Sequence, residues 1–231
     1  MRLDKFVSNN TNLSRSEASG QIKKGNVCVD GVVVTSPEYK IDENINKISL
    51  FGDVVNYQKY TYLMLNKPQG VVSATTDTRD KTVLDLLPSE YKKQNLFPCG
   101  RLDKDTLGLV ILTNNGQGTH KLLAPKNHVT KEYEYKCADA LSNKDKQKIE
   151  QGILLKDGYI TKPCIIKQLS PQNGIITITE GKYHEIKRMF GAVGNKITFL
   201  KRISFGTIKL DPNLSYGQFR PLTPEEKSIF E

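Results

Sequence analysis

Apolar positions change period several times along the 231-residue chain, and each change predicts an element. Leu3, Phe6 and Val7 fall at helical spacing, which predicts a short helix over residues 1–10. Ser14 precedes Glu17 in the S-x-x-E spacing of a capping box. A second helix is therefore expected over residues 15–24, stopping at Gly25. "NVCVDGVVV" sets two apolar runs around Asp30-Gly31, a strong hairpin signal. Residues 44–59 are polar and irregular and read as a linker.

A different pattern follows. "TYLMLNKPQG" predicts a strand ended by Pro68 and Gly70, then a polar loop over 73–81 and a short apolar segment over 83–87. The unbroken apolar run from Leu109 to Leu112 predicts a central strand buried on both faces. "KEYEYKC" and "NGIITIT" alternate as strands do, and the first puts Tyr133 and Tyr135 on one face. In "GKYHEIKRMFGAVGN" the period becomes helical: Ile186, Met189, Phe190 and Val193 form a stripe that leaves Lys187 and Arg188 outside it. "KITFLKRISFG" returns to strand. The expected fold class is α+β: a small N-terminal unit of two basic helices against a hairpin (residues 1–56, with its linker), then a larger unit (57–231). The larger unit should be built on a mixed, mainly antiparallel sheet with flanking helices.

Composition narrows the class. No stretch approaches the ~20 apolar residues of a membrane span. "MRLDKFVSNN" is charged from its first turn and no long apolar run follows it, so a cytoplasmic protein is expected. Cys28, Cys99, Cys137 and Cys164 form no C-x-x-C pair, which favours reduced, buried thiols over structural zinc. Formal net charge is +9, which points to a polyanion such as nucleic acid. Residues 1–56 are neutral overall, with 7 cations and 7 acids, so the excess lies on residues 57–231. Within the first unit, Arg2, Lys5, Arg15, Lys23 and Lys24 decorate the helical side, as an RNA-binding face or as an ordinary solvated one.

Two stretches carry the candidate chemistry. In "GRLDKDTLGLVILTNNG", Asp103 sits between Arg101 and Lys104 just before the apolar strand. Asp103 and Asp105 are too loosely related in a loop to argue a glycosidase. There is no phosphate-binding G-x-x-x-x-G-K-[ST] loop and no G-x-S-x-G elbow, and His120, His128 and His184 are scattered. Residues 180–209 hold seven cations (Lys182, Lys187, Arg188, Lys196, Lys201, Arg202, Lys209) against Glu180 and Glu185. The cations interleave with Tyr183, Phe190, Phe199 and Phe205, as a phosphate-lined groove with stacking surfaces would.

With these residues in view, the chain resembles the RsuA-type branch of the pseudouridine synthases, the small-subunit rRNA enzymes. "MRLDKFVSNN" to "VDGVVV" resembles an S4 RNA-binding domain. "MLNKPQGVVS", "GRLDKDTLGLVILTNNG", "KEYEYKC" and "EGKYHEIKRMFGAVGN" resemble the catalytic blocks, in family order. The resemblance implies that Asp103 is the catalytic residue and forms a covalent adduct with a flipped uridine, with no cofactor and no metal. It places a basic residue of the "HEIKRM" helix against that aspartate: Lys187, with Arg188 in reserve. Tyr133 matches the block tyrosine that stacks on the uracil and helps remove the C5 proton. Arg101 is assigned to base flipping or phosphate contact, Leu112 to core and pocket wall together, Tyr135 to core, and Asp105 to a solvated or capping role. Lys182, Lys201 and Arg202 join the RNA-gripping set with the N-terminal cations.

The Tyr-His pair in "GKYHEIKRM", with "TKP" and "PLTPEE", resembles the small-subunit type, where large-subunit members usually show Asn-Arg. That implies uridine 516 of 16S rRNA; an assembly intermediate of the small subunit is the expected partner, and a monomer is the default. Lys182 and Glu185 stand where Arg and Gln are common. Two alternatives remain: the same reaction on 23S rRNA, and a non-catalytic rRNA-binding assembly factor.

Overall fold

The computed structural model describes residues 1–57 and 59–230, which divide into two compact units: Met1–Tyr60 with Ser89–Gln94, and Thr61–Pro88 with Asn95–Glu231. In the first unit, helix α1 (Leu3–Asn10) buries Leu3, Phe6 and Val7, the three residues at helical spacing. Helix α2 (Arg15–Lys23) starts at the Ser14–Glu17 capping box, with both reciprocal hydrogen bonds formed. Strands β1 (Val27–Val29) and β2 (Val32–Val33) pair antiparallel. Asp30 and Gly31 between them have φ of 52° and 82°, the positive pair that a tight two-residue hairpin turn needs.

The expected linker over 44–59 is corrected in part. It contains strands β3 (Ile48–Leu50) and β4 (Asp53–Val54), which complete a four-stranded sheet in the order β2-β1-β3-β4. Phe51 and Gly52 make a second positive-φ turn between them. The strands are only three and two residues long, and of their residues Ile48 alone is buried in the core, so hydrophobic alternation does not mark them. The helix–sheet core is Leu3, Phe6, Val7, Ala18, Ile22, Val27, Val29, Ile41, Ile48 and Val55.

The second unit opens on β5 (Tyr62–Lys67), buried throughout. The chain returns to the first unit for a short helix α3 (Ser89–Lys92), and the second unit resumes with β6 (Phe97–Cys99), β7 (Leu107–Thr113) and α4 (Gly116–Leu123). Then come β8 (Lys131–Cys137), α5 (Asn143–Glu150), β9 (Ile165–Ser170), β10 (Asn173–Ile178) and α6 (Glu185–Ala192). Strands β11 (Ile197–Phe205), β12 (Ile208–Lys209) and β13 (Phe219–Pro221) and helix α7 (Pro224–Lys227) end it. The strands form one mixed sheet in the order β13-β5-β7-β11-β8-β10-β9, with β6 against β7 and β12 against β11. Among the described strands of this sheet, the β7–β11 pair is parallel and the others are antiparallel.

Strand β7 lies between β5 and β11, which is why residues 109–112 are apolar on both faces. Gly108 opposes Arg202 in the parallel register with φ of +99°, and a Cβ there would collide with the Arg202 backbone. Helix α6 buries Ile186, Met189 and Phe190, and the Phe190 ring lies 5.0 Å from that of Tyr135. Among the described residues no helix is long and apolar enough to cross a membrane. Cys99, Cys137 and Cys164 are buried and free, and Cys28 is half-buried.

Candidate active site

The loop over residues 100–106 joins β6 to β7 and is held from several sides. Gly100 turns it with φ of +81°. Leu102 is buried, and its backbone N–H donates to Ser73 Oγ at 3.1 Å. The Thr106 N–H donates to the Asp103 carbonyl at 3.1 Å, and Gly70 N–H to the Lys104 carbonyl at 2.8 Å. Beneath it, the fully buried Lys67 donates to the carbonyls of Pro68 (3.0 Å), Lys104 (3.2 Å) and Thr106 (2.8 Å). Burial lowers Lys67 to about 8, against the raising influence of Asp105 and Asp103. The peptide dipoles of three carbonyls thus hold a lysine inside the fold, and the lysine holds the loop.

Above the loop stands α6. Its stripe faces the core, so Lys187 projects the other way, toward the loop. Lys187 Nζ donates to Asp103 Oδ2 at 2.8 Å and to Asp105 Oδ1 at 2.5 Å. Burial works against its ammonium form, but the two carboxylates outweigh burial and raise its pKa above that of a free lysine. Asp105 is likewise pushed up by burial and pulled further down by Lys187, for a net lowering. Asp105, expected to be solvated or capping, is exposed and also partners the same ammonium. His184 Nε2 approaches Asp103 Oδ1 at 3.6 Å from the other side.

A cleft opens over Asp103. Arg101, Leu102, Thr106, Tyr133, Ile178, Lys182, His184, Glu185, Ile186, Lys187 and Leu200 line it with Asp103. Tyr133 enters from β8 with most of its ring buried, and Arg101 is exposed at the rim. Asp103, Tyr133, Lys187, Arg101 and Lys182 are thus brought together, the last with its ammonium 4.7 Å above the Tyr159 ring.

Other expected site residues lie elsewhere. Leu112 is fully buried on β7, in register with Leu63 and Pro98, and belongs to the core and not to the cleft wall. Arg188 pairs with Asp157 at 2.5 Å and donates to the Tyr183 carbonyl, so it is no substitute for Lys187. Arg202 is corrected from RNA contact to core: it is 1% exposed and donates from Nε to the Leu109 carbonyl at 2.7 Å. Alternation along β11 is the reason. Leu200 and Arg202 oppose Tyr135 and Tyr133 on the inner face, and Lys201 points outward over the Tyr216 ring. In the first unit, Arg2 and Arg15 are both tied to the buried Asp4, at 2.9 and 3.2 Å. Lys5, Lys23 and Lys24 are exposed or nearly so.

Sequence reading missed Lys67, His184 and the pair Glu180–Glu185. Lys67 had one signal, a lone cation ending the strand that opens with the apolar run over 62–65. Glu185 is 4% exposed, and burial together with hydrogen bonding to Glu180 raises it to about 8. Glu180 keeps the charge: burial raises its pKa, but Glu185, the Lys162 N–H and the Tyr159 hydroxyl more than offset that. A protonated Glu185 donates to Glu180 and accepts from the Lys182 N–H at 2.8 Å, as a glutamine would.

The sign of the pH effect follows. A folded-state pKa raised from 4.5 to about 8 means that the folded protein binds more protons between those values, so stability falls as pH rises through the window. Glu185→Gln does not titrate. The variant is expected to match wild type near pH 4 and to exceed it by about 1–3 kcal/mol at pH 8, by urea denaturation. A constant difference across that range would contradict the assignment.

The geometry, a carboxylate on a rigid loop under a basic cleft with a buried tyrosine, fits a carboxylate-dependent reaction on an RNA base. Comparison with known proteins agrees. Residues 61–192 match the RNA pseudouridylate synthase model and residues 1–44 the S4 domain. The chain belongs to the RNA pseudouridylate synthase family, with an S4 domain ahead of the catalytic one. The Bacillus subtilis (strain 168) RNA pseudouridine synthase YtzG is 46% identical over 98% of this chain and 96% of its own length. Ribosomal small subunit pseudouridine synthase A of Escherichia coli (strain K12) is 38% identical, covering 98% of each chain. A crystal structure of a pseudouridylate synthase superposes with a TM-score of 0.71 at 36% identity, over 100% of both chains.

Proposed function

We propose that the enzyme converts uridine 516 of 16S rRNA to pseudouridine, with Asp103 as the nucleophile. The observation that carries the chemical role is the Lys187 ammonium on Asp103 at 2.8 Å, which fixes the carboxylate of a rigid loop inside a cleft. The small-subunit substrate rests on the Tyr-His pair at Tyr183-His184 and on full-length relatives named for that subunit.

In this reading the uridine leaves its stack at a cost of a few kcal/mol, which basic contacts to flanking phosphates offset. An Asp103 oxygen bonds to the uridine as the N1–C1′ bond breaks. The freed uracil turns against Tyr133, and C5 bonds to C1′ as the bond to the Asp103 oxygen breaks, which releases the carboxylate. The C5 proton then leaves toward the Tyr133 hydroxyl and N1 takes up one proton from solvent, so the isomerisation adds and removes no atoms. Arg101, Arg188 and Lys182 contact RNA beside the cleft, as does Lys201 on the outer sheet face. Residues 1–56 anchor rRNA through Lys5, Lys23 and Lys24, with Arg2 and Arg15 beside them, and residues 57–231 do the chemistry. The protein acts as a cytoplasmic monomer on an assembly intermediate.

The test is position-mapped pseudouridine in rRNA from cells lacking the gene, complemented with wild type or Asp103→Asn. One 16S pseudouridine should vanish and return only with wild type. A missing 23S site would keep the chemistry and overturn the substrate. No missing site would leave an rRNA-binding assembly factor.

A further inference from the structure

Tyr183 stands just ahead of α6, and its ring is 75% exposed. A single exposed tyrosine is ordinary. This one is not free on both faces: it stacks on His184 with ring centroids 3.8 Å apart and planes inclined by only 17°. His184 in turn holds a left-handed backbone, φ 48° and ψ 34°, at the N-cap of α6, and its side chain makes no capping hydrogen bond. A non-glycine residue in that region costs on the order of 1 kcal/mol, and such strain gathers where orientation matters. Here it turns the imidazole toward Asp103, leaving Nε2 at 3.6 Å from the carboxylate. The Tyr183 carbonyl is fixed by Arg188 Nη1 at 3.3 Å.

The two rings therefore form a short stack that begins at Asp103 and ends in solvent. His184 lines the cleft and Tyr183 does not, so the free face of Tyr183 lies outside the space that the reacting base would occupy. We infer that this face is a stacking subsite for the nucleobase adjacent to the flipped uridine, an inference that rests on the proposed RNA substrate. Removing one base from a strand leaves its neighbour with an unstacked face, and an aromatic ring at the rim restores that contact. Base–aromatic stacking is tolerant of base identity, so the subsite holds the strand and does not read its sequence. His184 is a positioning residue, tying the platform to the carboxylate.

The experiment uses the full chain and a short rRNA fragment containing whichever uridine wild type converts, so a wrong site assignment does not affect it. Tyr183→Ala is expected to raise KM about 10-fold or more with kcat within about threefold, and Tyr183→Phe to restore wild-type values. An abasic nucleotide on one side of the target should weaken wild type by a similar factor and add little to Tyr183→Ala. Equal penalties from the abasic substitution in wild type and Tyr183→Ala, on both sides of the target, would overturn the subsite. So would an unchanged KM for Tyr183→Ala. Failure of wild type to modify any rRNA would instead sink the proposed function.

Discussion

Asp103→Asn is expected to lower pseudouridine formation by a factor on the order of 10⁴ or more while RNA affinity stays within about threefold of wild type. The asparagine is nearly isosteric, and its carbonyl oxygen still accepts from Lys187. Lys187 also retains Asp105 at 2.5 Å, so its ammonium is not stranded. The loop is held through the backbone, by Lys67 on the Lys104 and Thr106 carbonyls and by Ser73 on the Leu102 N–H, and none of these contacts involves the Asp103 carboxylate. What disappears is the carboxylate oxygen that, in the proposed mechanism, bonds to the uridine. Single-turnover release of tritium from C5-labelled uridine would measure the loss, and filter binding of the same RNA would measure affinity. Activity within 100-fold of wild type would remove Asp103 from the role of nucleophile.

Much of the architecture was legible because its signals are local. The Ser14–Glu17 capping box, the Asp30-Gly31 turn, the apolar run of β7 and the period change at α6 are each read from a few neighbouring residues, and each forms as expected. The Lys187–Asp103 pair was reached by family resemblance. Its partners lie 84 residues apart, and no spacing rule joins them. Lys67 and the Glu180–Glu185 pair escaped for a related reason. A buried charge is legible only once its partners are known, and those partners are carbonyls and a carboxylate brought in by the tertiary fold. The strands β3 and β4 escaped because β3 is held by pairing with β1 and β4 by pairing with β3, and both are too short to carry an apolar pattern of their own. In the basic cluster over 180–209, charge was legible but direction was not: adjacent lysine and arginine on β11 point to opposite faces.

Arg202 turns that last point into a measurable effect. Arg202→Ala is expected to cost about 3–5 kcal/mol of stability, and Arg202→Met much less. The side chain is among the largest fully buried ones in the protein, so truncation to alanine leaves a large cavity beside Phe205 and Gly100. Among the described residues the guanidinium makes one hydrogen bond, to the Leu109 carbonyl, and its buried Nη2 has no partner. A buried charge so sparsely satisfied carries a desolvation cost that methionine avoids while filling similar volume, and that gain offsets the lost hydrogen bond. The ordering wild type ≈ Met ≫ Ala in urea denaturation is the signature of a packing role. A phosphate contact predicts the reverse pattern: both variants as stable as wild type, both weaker on RNA, and a salt slope shallower by about one in each. RNA affinity in the methionine variant decides between them, because its fold is kept. Unchanged affinity and slope leave Arg202 in the core beside the loop that begins at Gly100, and a loss of both would place it on the RNA.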